Sequence, residues 1–110
     1  AGALTVTDVT FTGNSSERGG AIHHEGDGLT ISGSTFNNNT VTATQAFGGA
    51  IYATGTVDIA SSDFTSNAAY GVSQARGGAL NLGSGTTATI TGSTFTTNKT
   101  DTRNTADTNN

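Results

Sequence analysis

The stretch Gly48–Asn67, GGAIYATGTVDIASSDFTSN, decides the architecture. It contains a Gly-Gly-Ala-aliphatic tetrapeptide, an alternating run Thr56-Val-Asp-Ile59, and a closing Phe64-Thr-Ser-Asn67. The same pieces recur in the same order on both sides. Phe-x-x-Asn occurs at Phe11–Asn14, Phe36–Asn39, Phe64–Asn67 and Phe95–Asn98, with 25, 28 and 31 residues between successive phenylalanines. Gly-Gly-Ala occurs at Gly19–Ile22, Gly48–Ile51 and Gly77–Leu80, 29 residues apart both times. Five residues before each Phe stands an aliphatic residue, Val6, Ile31, Ile59 or Ile90, and two before that stands Leu4, Leu29, Val57 or Ala88. Such spacing marks an internal repeat.

Each alternating run places apolar residues two apart, the period of a half-buried strand. The runs are too short for helices, and Thr, Val, Ile and Phe favour strands. Three such strands in 25 to 31 residues suit one turn of a parallel β-solenoid, with turns stacked about 4.8 Å apart. Equivalent side chains then form inward columns: Leu4/Leu29/Val57/Ala88, Val6/Ile31/Ile59/Ile90, Phe11/Phe36/Phe64/Phe95 and Ile22/Ile51/Leu80. The predicted fold is all-β, about 3.5 coils, over residues 1–98, with coils starting near 3, 29, 56 and 87 and a polar tail or incomplete coil over 99–110.

The odd step from Ile to Phe cannot keep both inside along one straight strand. A bend must intervene at Asp8, Gly33, Ser61 and Gly92, where Gly and Asp tolerate positive φ. The paired glycines Gly19/Gly20, Gly48/Gly49 and Gly77/Gly78 mark tight corners where a side chain would meet the next coil. Asn14, Asn39, Asn67 and Asn98 fall just past a strand, where stacked amides can bond to one another. Between each Asn and the next Gly-Gly lie Ser15–Arg18, Thr40–Phe47 and Ala68–Arg76, read as outward loops. Their last residues, Arg18, Phe47 and Arg76, can stack as cation–π partners.

Composition agrees with a thin core. Only 32% of residues are hydrophobic, too few for a deep globular interior but enough for a repeated layer one side chain thick. A net charge of −4, with the basic residues Arg18, Arg76, Lys99 and Arg103 dispersed, excludes the basic patch that nucleic acid needs. No apolar run is long enough for a transmembrane helix, so membrane insertion is not expected. Without cysteine there is no disulfide framework. A Thr-, Ser-, Asn- and Gly-rich, Lys-poor surface reads as extracellular. The chain opens at Ala1 on the middle strand of a coil, and no fourth Gly-Gly-Ala follows Asn98. We therefore expect a piece of a longer array, or a subunit whose end coils are completed by a neighbour.

The alternation of Gly19-Gly20-Ala21-Ile22, Gly48-Gly49-Ala50-Ile51 and Gly77-Gly78-Ala79-Leu80 with the Phe-x-x-Asn copies resembles the repeats of the chlamydial polymorphic membrane proteins. The resemblance covers nearly all of residues 3–98. It implies a right-handed parallel β-helix on an outer surface, acting in adhesion or self-association.

No catalytic, cofactor or metal site is expected. His23-His24-Glu25 with Asp27 has metal-like chemistry and falls in the short corner after Ile22, but adjacent residues on a strand point opposite ways and do not converge. Asp58 and Asp63 are the closest approach to a glycosidase carboxylate pair, yet their column neighbours are threonines and no cation accompanies them. The outward pairs Thr5/Thr7, Thr30/Ser32 and Thr89/Thr91 suggest an ice-binding array, which Asp58 and Ala60 interrupt. Asn14, Asn38 and Asn98 sit in N-glycosylation sequons, Asn38 being the best placed. The expectation is a non-enzymatic extracellular structural protein that associates with itself head to tail, as a homo-oligomer or fibre. Behind it stand a cell-surface adhesin segment that takes a cell-surface or glycan partner through its loops and, more distantly, a polysaccharide-active enzyme.

Overall fold

The computed structural model describes residues 2–102. The strand pairings are parallel, and like residues of successive repeats lie opposite one another. The first turn is β1 (Leu4–Thr7), β2 (Thr10–Thr12), β3 (Ser15–Ser16) and β4 (Ile22–His24). The second is β5 (Leu29–Ser32), β6 (Thr35–Asn37), β7 (Thr40–Phe47) and β8 (Ile51–Ala53). The third is β9 (Thr56–Ala60), β10 (Asp63–Thr65), β11 (Ala68–Arg76) and β12 (Leu80–Leu82). A partial fourth follows as β13 (Thr87–Thr91), β14 (Thr94–Thr96) and β15 (Lys99–Thr102). Equivalent strands make four sheets, β1-β5-β9-β13, β2-β6-β10-β14, β3-β7-β11-β15 and β4-β8-β12. The fold is thus a parallel β-solenoid of about three turns. Among the described residues there is no helix, and hence none long and apolar enough to cross a membrane.

Two expectations need correction. The turn has four strands rather than three, because, of the stretches read as outward loops, Thr40–Phe47 and Ala68–Arg76 are strands β7 and β11, and Ser15–Ser16 of Ser15–Arg18 is strand β3. Val41, Ala46 and Ala69 in them are buried in a second small core, separate from the main one. The sequence conceals this because Thr, Ala and Gln fill positions that strands elsewhere give to Ile and Val. At Val72–Ser73 the register of β11 shifts, and Gly71 lies so close to the Gln74 carbonyl that a Cβ would sit 1.7 Å from its oxygen. His23 and His24, placed at a corner by the sequence, belong to strand β4. Lys99–Thr102, left open as tail or incomplete coil, is strand β15 against β11. Residues 103–110 of that tail lie outside the described residues.

The bend between the first two strands of each turn is made the same way four times. Asp8, Gly33, Ser61 and Gly92 all adopt left-handed backbone, with φ of 56°, 57°, 51° and 56°. Glycine does this freely, whereas Asp and Ser are held there by the strands on both sides. The Gly-Gly corner has a double requirement. Gly48 has φ 73°, and a Cβ on Gly49 would lie 1.9 Å from the Gly78 carbonyl oxygen of the next turn.

Burial follows the stacking. In the two middle turns Leu29, Ile31, Phe36, Ile51, Val57, Ile59 and Phe64 are at most 1% exposed, while Leu4, Ile90 and Phe95 in the outer layers are 38%, 41% and 44% exposed. A layer one side chain thick gets no cover from its own turn. Its neighbours above and below exclude the water.

Candidate functional site

Two regions carry chemistry: the columns that hold the turns together and emerge at both ends, and a groove on the side. The phenylalanines of Phe-x-x-Asn stand ring on ring. Phe11–Phe36, Phe36–Phe64 and Phe64–Phe95 each have centroids 4.7 Å apart, with planes within 6° of parallel. That spacing is the strand-to-strand distance, so the backbone ladder sets the stack. Val6, Ile31, Ile59 and Ile90 form a second column, and Ile22, Ile51 and Leu80 a third, by the pairing of their strands.

Beside the rings runs an amide column. The Asn39 amide donates to Asn67 Oδ1 at 2.9 Å and to the Phe11 carbonyl at 3.0 Å. The Asn67 amide donates likewise to Asn98 Oδ1 and the Phe36 carbonyl, both at 2.9 Å. Each Oδ1 also receives the backbone N–H of the preceding Asn, as in Asn39 N to Asn67 Oδ1 at 2.9 Å. Only a side chain with two donors and one acceptor on a short stem can do this. Aspartate lacks the donors. Asn39 and Asn67 are buried and fully bonded.

A serine column escapes notice in the sequence. Val9 N–H donates to Ser34 Oγ, Ser34 N–H to Ser62 Oγ, and Ser62 N–H to Ser93 Oγ. Each hydroxyl in turn donates to a carbonyl two residues back, as Ser62 does to Ala60. The signal was Ser-x-Phe at Ser34, Ser62 and Ser93, with Val9 breaking it in the first turn. A lone Ser before a strand looks like ordinary turn chemistry, so only the stacking reveals its function.

Two stretches of the chain, residues 8–25 and 33–54, match the Chlamydia polymorphic membrane protein repeat. Over those two stretches the chain is similar to that repeat. The matched stretches run from the bend (Asp8, Gly33) through Phe-x-x-Asn to the Gly-Gly-Ala-Ile strand. No curated protein and no solved structure gives a significant match. The matched stretches coincide with the part of the first two turns where the phenylalanine, asparagine and glycine columns lie.

The lateral groove comes from unequal turns. In the first turn the third strand is only Ser15–Ser16, pairing with Thr40 and Val41, and Arg18 then bridges to Phe47. Between those contacts Thr42–Ala46 of the second turn overhangs without a strand beneath it. The resulting groove, about 800 Å³, is lined by Ser16, Glu17, Arg18, His23, Thr44 and Gln45, with Ala43 its one apolar contributor. Arg18 lies over two rings, its Cζ 5.1 Å from the Phe47 centroid and 5.2 Å from that of Tyr52. Arg76 reaches the same Phe47 at 6.0 Å. His23 meets Tyr52 edge to face at 5.1 Å and pairs with Glu25, Nε2 to Oε2 at 2.6 Å.

The remaining sequence candidates are not brought together. Asp58 pairs across strands with Thr30 and Thr89. Asp63 accepts the Thr94 hydroxyl and pairs with Thr35 on its other side. Both aspartates are exposed. Among the described residues no three His, Asp or Glu side chains converge as a metal requires. Asn38 is exposed on a left-handed turn, φ 58°, while Asn14 donates its amide to Asn39 Oδ1.

Proposed function

We propose that this chain is a non-enzymatic structural protein of a cell surface, and that its polymorphic membrane protein repeats associate end to end. A second copy continues the stack where the first stops. The winding is right-handed, as connections between parallel strands of one sheet nearly always are. The supporting observation is the matching, half-used bonding at the two ends. Among the described residues Asn14 Oδ1 accepts nothing, and the Asn98 N–H finds no acceptor. In the internal pattern these two are partners, Asn N–H of one turn to Asn Oδ1 of the next. Phe95, 44% exposed, would take the Phe11 ring of a second copy, and the Phe95 carbonyl its Asn14 amide. Because the two faces differ, the contact is heterologous and propagates into a filament.

Sedimentation velocity and negative-stain electron microscopy over a range of concentrations test this. The chain should form fibres about one solenoid wide, and Ile90→Asp, at an exposed end position, should leave monomers with an unchanged far-UV spectrum. One column fails to continue: the next copy offers Val9 where Ser93 N–H would find an Oγ. Val9→Ser should therefore strengthen association about tenfold, the worth of one hydrogen bond. Monomers at every concentration, or assembly indifferent to both changes, would refute the reading.

A second reading, partner binding through the side of an adhesin, is favoured by the lateral groove. The repeat it shares with the polymorphic membrane proteins is compatible with both.

A further inference from the structure

We infer that the lateral groove is a binding site for a neutral oligosaccharide. The inference gives the second reading a ligand chemistry, and it is independent of end-to-end association. The groove follows from the fold itself, because Thr42–Ala46 of the second turn runs unpaired above the short Ser15–Arg18 corner.

Its lining selects the ligand by elimination. A peptide partner needs an apolar anchor seated in a desolvated pocket, and here the only apolar lining residue is Ala43. A polyanion needs excess positive charge. In the groove Glu17 offsets Arg18, His23 is already paired with Glu25, and the whole chain carries −4. What remains is a dense mixture of donors and acceptors without net charge: the Arg18 guanidinium, the Gln45 amide, the Thr44 hydroxyl and the Glu17 carboxylate. Vicinal hydroxyls, each both donor and acceptor, satisfy such a surface, and a neutral saccharide presents them in rows.

Arg18 is prepared for this use. Its guanidinium is held over Phe47 and Tyr52 and makes no ion pair among the described residues, so its N–H edge is fixed without being consumed. Preorganisation of this kind reduces the entropy lost on binding. The groove is open to solvent along its polar lining, and its volume of about 800 Å³ leaves room for a few sugar units.

The experiment is an array of neutral and sialylated oligosaccharides, probed with the full chain carrying Ile90→Asp, so that failure to assemble does not affect the result. Neutral glycans should be retained, and Gln45→Ala and Arg18→Ala should each lower the signal about tenfold, as loss of a hydrogen bond does. Thr65→Ala, on the β10 strand and not among the groove residues, should leave it unchanged. Circular dichroism identifies any variant that misfolds. Should Arg18→Ala do so, Gln45→Ala, which leaves the aromatic stack intact, decides the matter. No retention, retention of sialylated glycans alone, or binding unaffected by Gln45→Ala would overturn the proposal.

Discussion

Replacing Phe64 by alanine removes the middle of the ring column. Phe64 is fully buried and stacks on both neighbours, Phe36 and Phe95, at 4.7 Å. Loss of its apolar burial is worth about 2–3 kcal/mol, and two aromatic pairs about 1 kcal/mol each. The sum, about 4–5 kcal/mol, sits at the upper end of measured Phe→Ala changes. Phe95→Ala removes one pair and a ring already 44% exposed, so it should lose about half as much. Urea unfolding followed by far-UV circular dichroism, on Ile90→Asp monomers, measures both. With a slope of about 1–3 kcal/mol per molar urea, Phe64→Ala should lower the midpoint by at least about 1.3 M, or leave the chain unfolded in buffer. The stability of a domain this size is only about 5–15 kcal/mol. Equal losses at the two positions would show that ring stacking between turns does not bind the layers, and the columnar account would fail.

Two further tests address the amide column and the corners. Asn67→Asp turns two donors, to the Phe36 carbonyl and Asn98 Oδ1, into oxygen facing oxygen in a buried site, so it should destabilise by at least about 3 kcal/mol at pH 7. Burial raises the folded-state pKa of the introduced carboxyl above the usual value of about 3.9. The deficit is then complete above that raised pKa and shrinks as pH falls through it, which urea midpoints between pH 3 and 7 would reveal; a flat profile would contradict it. Gly49→Ala puts a Cβ 1.9 Å from the Gly78 carbonyl oxygen and 2.6 Å from the Ala68 nitrogen, and should unfold the third and fourth turns or lose about 3 kcal/mol or more. Gly28→Ala, with nothing nearer than 3.9 Å, should change the melting temperature by at most a few degrees.

Much of the fold is legible because a solenoid turns sequence spacing directly into position. Residues 25, 28 and 31 apart become neighbours when each turn restarts at the same bend, and the pairs Phe11–Phe36, Phe36–Phe64 and Phe64–Phe95 follow those intervals. The positive-φ bend is visible through Gly33 and Gly92, and its less obvious occupants Asp8 and Ser61 follow by alignment to them. What stays hidden is whatever lacks a chemical mark of its own. The β7 and β11 strands are built largely from Thr, Ala, Gln and Gly, with Val41, Phe47, Tyr70 and Val72 too scattered to mark a strand, and their burial depends on having a turn above and below. The Ser34–Ser62–Ser93 column uses a residue common in every turn of chain.

The groove is a further case. Arg18, Phe47 and Arg76 can be aligned from the Gly-Gly register alone, but the space beneath Thr42–Ala46 arises from the difference in length between two successive third strands. It also brings Arg18 over Tyr52, a residue of the strand after the corner. Spacing by itself determined which residues lie over which, since identical turns leave a chain one register. Tertiary structure alone decided what the unequal parts do, because an overhang or an uncovered layer exists only in relation to the turn beside it.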